Sequence, residues 1–311
     1  MTNAIQTDVF TQLHLDVARN ATDDFNLFHD SRKWPQIKGN PFNGPIIMGF
    51  QLESLIEGKL AIFREQRGEF QLIKDQGLRF SNYQFSFANA IRPGDEVEIE
   101  IKESQFKATP SPTLSNRIMV KTNGSLALMG YKKETQEHLY YADADFTQAG
   151  NIDQLPDRSF LPEPMAAYFL KRKFMTTSNA KNFLLGSLRD QTLYFDELLD
   201  KVIFPEMFPC ALLSSALLEK ALKKKHDFEQ NPMVYTSHKI TVDRQCLAHL
   251  KSTDVLNILI KPAEQSLEHD FGDKVSTPLE YECYGLLQDN ALLFRAGIAL
   301  TPLELIIKAL A

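Results

Sequence analysis

Cysteine is scarce in this sequence. Cys210, Cys246 and Cys283 are the three cysteines among 311 residues, and they lie far apart along the chain. An odd number of widely spaced cysteines supplies neither a disulfide framework nor the close pairs that hold a structural zinc ion. We therefore predict no metal site and a reducing, cytoplasmic location.

Long apolar runs and an excess of positive charge are missing as well. Residues 1–11 are polar and lack the apolar segment of a signal peptide, and no later stretch is long enough to span a bilayer. The formal net charge of −6 argues against nucleic acid or an anionic membrane surface as the main partner. A hydrophobic content of 43% is sufficient for a sizeable core, and the length suits two domains of ordinary size.

The spacing of apolar residues predicts helices first and strands afterwards. A first helix is predicted over about 7–20, and a central helix, apolar on nearly all sides, over about 45–65. Alternating apolar and polar residues then predict strands between 78 and 131. A polar turn at 132–135 separates these from a last predicted strand at 138–146.

The second part of the chain repeats this plan. Residues 208–213 correspond to residues 44–49 and also precede an apolar helix. Residues 254–261 correspond to residues 95–102. The helices are then 164 positions apart and the strands 159. Two landmarks in the same order with nearly the same offset predict a duplicated domain.

A long helix followed by antiparallel strands, present twice, predicts an α+β fold in which each sheet wraps around its own helix. The segment 150–164 is rich in Pro and Asp and is predicted to be a linker. The predicted units are therefore 1–149 and 165–311, fused in one chain.

A candidate site lies in the segment 21–30, where Asp24 and His29 stand five positions apart with Asn26 between them. The segment 44–50 follows and opens the central helix, with Pro45 suited to a first helical turn. Amide groups at the start of a buried helix, close to an acid and an imidazole, favour chemistry on a carbonyl group.

These two segments resemble the MaoC-like branch of the hot-dog fold family. That branch carries a motif of the form S-G-D-x-N-P-I-H-x-D, followed after a loop by a helix that opens I-x-H-G. Asp24, Asn26 and His29 keep the acid, the amide and the imidazole at the family spacing, and Gly49 keeps the glycine at the helix opening.

Several positions depart from the family motif. Asp23 replaces its glycine, Leu27 and Phe28 replace its Pro-Ile pair, and Met48 replaces the histidine before the glycine. The acid after the histidine, Asp30, is adjacent to it here instead of two positions on. These changes leave the proposed acid and imidazole in place and alter the surroundings.

The resemblance implies a hydratase or dehydratase of enoyl and 3-hydroxyacyl thioesters, as in fatty acid metabolism, carried by CoA or by an acyl carrier protein. Asp24 and His29 would hold a water and act as general base and acid, without a cofactor. The Gly49 N–H would receive the thioester oxygen, and Asn26 would orient the motif loop. A fused pair already satisfies the usual pairing of hot-dog units, so a monomer or homodimer is expected.

The second unit is predicted to be a degenerate copy. Its corresponding stretch is predicted at 173–183, which has no Asp and no His, and Leu213 is predicted at the position of Gly49. Two alternatives remain open: a thioesterase of the same fold that uses Glu53 or Glu57, and a non-catalytic acyl-binding protein. In the simplest case Asp24 only caps a turn and His29 is a satisfied buried side chain.

Overall fold

The computed structural model describes residues 7–141, 144–269 and 277–310. Predicted features on residues 1–6 and 142–143 lie outside the described part. The α-helices are α1 Gln12–Thr22, α2 Gly49–Glu65, α3 Glu69–Asp75, α4 Thr177–Gly186, α5 Met207–Ala211, α6 Leu213–Lys223, α7 Arg244–Ala248 and α8 Leu303–Leu310.

The strands fall into a set before residue 141 and a set after residue 158. They are β1 Thr7–Val9, β2 Phe80–Phe87, β3 Glu96–Ile101, β4 Gln105–Lys107, β5 Thr113–Thr122, β6 Ser125–Thr135, β7 Ser159–Phe160, β8 Phe169–Met175, β9 Phe195–Asp196, β10 Lys201–Val202, β11 Met233–Asp243, β12 Asp254–Pro262, β13 Leu279–Leu286 and β14 Leu292–Pro302. Below, the first half is the part with β1–β6, and the second half is the part with β7–β14.

Twelve of these strands form one antiparallel sheet. The order is β1-β3-β5-β6-β2-β11-β14-β13-β12-β8-β7, with β4 attached to β5. Strands β2 and β11 join the two halves, with Ser86 opposite Ser237 at one end of the pairing and Phe80 opposite Asp243 at the other. The strands of each half thus lie together, at opposite ends of the strand order in one continuous sheet.

The two halves share one topology. The order β3-β5-β6-β2 in the first half corresponds to β12-β13-β14-β11 in the second. Helix α2 has 17 residues, and α5 and α6, with Leu212 between them, cover the same number of positions. Helices α2 and α5 begin 158 positions apart, and so do β3 and β12. The structure therefore contains two copies of one helix-and-sheet unit, as the sequence predicted.

The predicted helix offset of 164 is wrong, because it matched two prolines that occupy different places. Pro209 lies within α5, in its first turn, where a backbone N–H would have no partner within the helix. Pro45 instead precedes α2 by four residues. The residue at the position of Gly49 is therefore Met207, not Leu213.

Three local predictions also differ from the structure. Residues 7–9 pair with β3 as strand β1, and the first helix starts only after Thr11, whose side chain accepts the His14 N–H. Residues 132–135 are the end of β6 instead of a turn, and the chain reverses at Asn123 and Gly124, both with positive φ. The described part of 138–146 contains no strand.

The central helices are enclosed by the sheet. Phe50, Leu55, Ile56 and Leu60 of α2 are buried, and so are Gln51, Glu53 and Glu57 on its other faces. A single apolar core connects both central helices with the inner face of the sheet. None of the described helices combines the length and apolar character that crossing a membrane requires.

The segment 150–164 packs against the second half. It contains a 3-10 helix at Ile152–Gln154 and strand β7, which pairs with β8. Ile152 and Leu161 belong to a small apolar cluster with Tyr284. The division of the chain at this segment stays a prediction.

Candidate active site

Two Asx turns, in which a side-chain oxygen accepts the backbone N–H two residues on, shape the motif segment after α1. Asp23 takes a left-handed conformation with φ 55°, which ends the helix. The Asp24 carboxylate then accepts the Asn26 N–H at 2.8 Å, and the Asn26 side-chain oxygen accepts the Phe28 N–H at 3.1 Å. Asp and Asn favour such turns because their short side chains reach a backbone N–H two residues on. The result is a short 3-10 helix that ends at His29.

His29 is buried, and its ring is oriented by the chain that leads to α2. The Nδ1 atom lies 2.7 Å from the carbonyl oxygen of Ile46. A carbonyl oxygen can only accept, so Nδ1 carries the proton, and in the neutral ring Nε2 has the free lone pair. Burial lowers the pKa of His29, although the nearby Asp24 carboxylate opposes this effect. His29 is thus a neutral imidazole with a basic Nε2 near neutral pH.

Asp30, next to His29, anchors the loop. Its carboxylate accepts the N–H groups of Arg32 and Lys33 and lies 3.1 Å from the Arg19 guanidinium. Partial burial alone would raise the pKa of Asp30, but these donors lower it below its ordinary value. The acid that departs from the family spacing is therefore occupied in holding the backbone around His29.

Gly49 is the first residue of α2, and close packing explains the glycine. A Cβ atom here would lie 2.9 Å from the ring of Phe87 and 3.4 Å from the ring of His238. Within the described residues no acceptor pairs with the Gly49 N–H, as is usual for the first turn of a helix. This amide is therefore available to an oxygen atom of a ligand.

A cavity of about 300 Å³ lies between the two halves. Asn26, His29 and Gly49 line it from the first half, and Leu217, Met233 and Tyr235 line it from the second. Three of the four predicted site residues therefore share one cavity. Asp24 does not line the cavity; it is buried, and its charge acts on His29 from close by.

Helix α8 closes one side of this cavity. Ile306 contributes to the lining. Leu303 is buried against Phe28 and Ile37 of the motif region, and Ile307 packs on the same cluster. The motif segment of the first half is therefore held in place by the last helix of the second half.

Glu53 and Glu57, the alternative catalytic carboxylates, are both occupied in the structure. Glu53 is buried, with an oxygen 2.9 Å from Nδ1 of His238 on β11. Glu57 accepts the N–H groups of Glu206 and Met207 at 3.2 and 3.0 Å, which caps the start of α5. Neither side chain lines the cavity.

The counterpart of Asp24 in the second half lies outside the predicted stretch 173–183. Thr11 and Thr176 cap the starts of α1 and α4, and Asp23 and Leu188, both left-handed, follow the ends of these helices; both pairs are 165 positions apart. The counterpart of Asp24 is therefore Arg189. The stretch 173–183 lies instead on β8 and α4, so its comparison with the motif was wrong.

Arg189 packs against the middle of α2. Its guanidinium donates to the Ser54 carbonyl at 2.9 Å and lies 3.4 Å from Glu57. A Cβ atom on Gly58 would overlap the Arg189 side chain, so the two are in close contact.

A buried charged cluster lies ahead of α5. Lys132 lies 3.0 Å from Glu206, and Glu134 pairs with Arg64 and Arg244. Burial alone would raise the pKa of Glu206, but Lys132 and Arg244 lower it to about 2. The charged cluster, defined as these five residues, includes Glu206, which directly precedes Met207, the counterpart of Gly49.

Comparison with solved structures places the fold. A MaoC-like dehydratase superposes with a TM-score of 0.56 at 10% identity, over 97% of this chain and 96% of its own. A conserved hypothetical protein from Mycobacterium tuberculosis with a double hot-dog fold gives 0.54 at 12% identity, over 96% and 94%. A MaoC-like dehydratase from Phytophthora capsici gives 0.51 at 9% identity, over 96% and 95%.

No family model matches the chain, and no curated protein matches it either. At these identities the likeness shows the fold alone. The chain has the α+β double hot-dog fold that is shared with MaoC-like dehydratases. Among the described residues, no group of His, Cys, Asp or Glu side chains has the arrangement of a metal site.

Proposed function

We propose that the chain is a hydratase or dehydratase of enoyl and 3-hydroxyacyl thioesters carried by CoA or by an acyl carrier protein. The observation that supports this is the tautomer of His29. With Nδ1 bound to the Ile46 carbonyl, the basic Nε2 is left for a ligand in a cavity that both halves enclose. A neutral, oriented imidazole is suited to general base catalysis near neutral pH.

In the proposed hydration, His29 Nε2 takes a proton from water as the water oxygen bonds to C3 of the enoyl chain. The electron pair of the double bond moves towards the thioester oxygen, which the Gly49 N–H stabilises as its charge grows. The imidazolium then returns the proton to C2, so that one water is added in total. Asp24 stabilises the imidazolium in between, and Asn26 holds the loop through its bond to Phe28.

The rest of the proposal follows from the same assignment. Water is the only co-reactant, so the reaction requires no cofactor. The predicted role in fatty acid metabolism, the cytoplasmic location and the monomeric or homodimeric state stay proposals.

The deciding assay uses crotonyl-CoA and a longer trans-2-enoyl-CoA, with enoyl absorbance and free thiol followed together. Loss of enoyl absorbance without thiol release supports the proposal. Release of thiol would instead identify a thioesterase, and binding without either change would identify an acyl-binding protein.

Two variants test the residues. Asp24→Asn and His29→Ala should each lower turnover by about 100-fold or more, and the double variant should be little worse, because residues that act as a unit are not additive. Asp24→Asn should hardly change stability, since an amide oxygen can also accept the Asn26 N–H. His249→Ala is the matched control: that ring also contacts a backbone carbonyl, at 2.6 Å, but on an exposed surface outside the cavity.

A further inference from the structure

A β-bulge lies on β11 where this strand borders the cavity. Tyr235 pairs with Leu300 of β14 and Ser237 pairs with Ala299, so Thr236 is an extra residue on β11. In a regular strand, residues three positions apart point to opposite faces of the sheet. Bulges change this alternation and often lie next to functional sites, where they redirect a side chain.

The bulge brings Tyr235 to the same face as His238. Their ring centres are 4.9 Å apart, and both rings contact Phe50 of α2, with centres 6.3 Å and 4.6 Å from its ring. His238 and Phe50 are fully buried. The Tyr235 ring therefore packs against two fully buried neighbours and lines the cavity.

The hydroxyl group of Tyr235 is held in place as well. It lies 3.1 Å from the Ser214 hydroxyl on α6. Burial raises the pKa of Tyr235, and the charge of Asp24 raises it further. The phenol therefore stays protonated and can donate a hydrogen bond, and it lies within the electrostatic reach of the acid of the proposed catalytic pair.

We propose that the Tyr235 hydroxyl contacts the oxygen substituent at C3 of the acyl chain, so that the cavity prefers 3-hydroxyacyl thioesters to unsubstituted ones. The inference rests on the proposed function, because it assumes that the acyl thioester lies between His29 and β11. It assigns to the second half a direct contact with the substrate.

Binding measurements test this without depending on turnover. Calorimetric titrations compare butyryl-CoA, which has no C3 substituent, with 3-hydroxybutyryl-CoA. They are repeated in a His29→Ala background, where the proposed chemistry is blocked and the hydroxyacyl ligand is not consumed. Tyr235→Phe should reduce the preference for the hydroxyacyl ligand by about two- to tenfold, the effect of one neutral hydrogen bond, and should leave butyryl-CoA affinity unchanged.

Tyr284→Phe is the matched control. Its hydroxyl also donates a hydrogen bond, to Glu282 at 2.9 Å, but it belongs to the small cluster outside the cavity. Ser214→Ala should act in the same direction as Tyr235→Phe with a smaller effect, because it removes only the partner that orients the phenol. This second variant provides the readout if Tyr235→Phe does not fold.

Three results would overturn the assignment. An unchanged ligand preference in Tyr235→Phe, or an equal loss of affinity for both thioesters, would mean that Tyr235 is only part of the cavity wall. Wild-type protein that binds neither thioester would refute the proposed function itself and the Tyr235 contact with it. The first two results would leave the proposed function intact, so the two failures can be told apart.

Discussion

The lowered pKa of His29 predicts how the stability of the protein depends on pH. The ordinary pKa of a histidine is 6.5, and burial lowers that of His29 in the folded chain. Below pH 6.5 the unfolded chain therefore binds a proton on this residue before the folded chain does. This stabilises the unfolded state, so the free energy of unfolding should fall as the pH falls.

The magnitude follows from the proton linkage. While the unfolded chain is protonated at His29 and the folded chain is not, the loss approaches about 1.4 kcal/mol per pH unit. It ends once the pH is below the folded pKa, where both states carry the proton. Above pH 6.5 neither state is protonated, and this contribution to stability is fully present.

The measurement is urea unfolding of the wild type and His29→Gln between pH 7.5 and 5.0. Subtracting one curve from the other removes the contribution of the titrating groups that do not interact with His29, and His249→Gln, at an exposed histidine away from the cavity, serves as the control variant. The difference between wild type and His29→Gln should shrink as the pH falls below 6.5. A difference that grows in acid would show that the fold raises the pKa of His29, so that it could not start as the base, and a constant difference would contradict the lowered pKa.

Two further changes test the packing around the site and away from it. Gly49→Ala should keep stability within about 1 kcal/mol, because the gain in helix propensity offsets the displacement of the Phe87 ring. It should lower kcat/KM for enoyl hydration by about tenfold or more, since the displaced ring narrows the cavity beside the amide; unchanged kinetics would contradict the proposed oxyanion role. Arg64→Met should lower the free energy of unfolding by about 3 kcal/mol, because Asn116 and Glu134 lose a fully buried partner. A loss below 1 kcal/mol in urea unfolding would mean that the cluster rearranges without it.

Much of the fold could be predicted because it depends on local pattern. The nearly all-round apolar face of the helix after Pro45 required a sheet to cover it, and α2 has that environment. The repeated order of helix and strand predicted the two units that the sheet topology shows. The motif also selected Asn26, His29 and Gly49, and these three residues line one cavity. Their roles in catalysis stay predictions.

The missed features depend on contacts between distant parts of the chain. Strand β1 consists of three residues and is defined by its antiparallel hydrogen bonds with β3. Lys132 and Glu134 looked like an exposed turn because charged residues are rarely buried unless they are paired. Their partners Glu206 and Arg244 lie more than 70 positions away. Tyr235 could not be assigned to the site because a bulge, which the sequence does not mark, sets the direction of its side chain.

The charged cluster and Arg189 have a consequence for how such a chain can evolve. Removal of one charged member of this cluster would leave a buried charge without a partner, at a cost of about 3–5 kcal/mol. That is a large part of the stability of an ordinary domain. Opening a space at the start of α5 would require several residues from both halves to change together. In this duplicated chain the paired buried charges therefore stabilise the difference between the two halves against single substitutions.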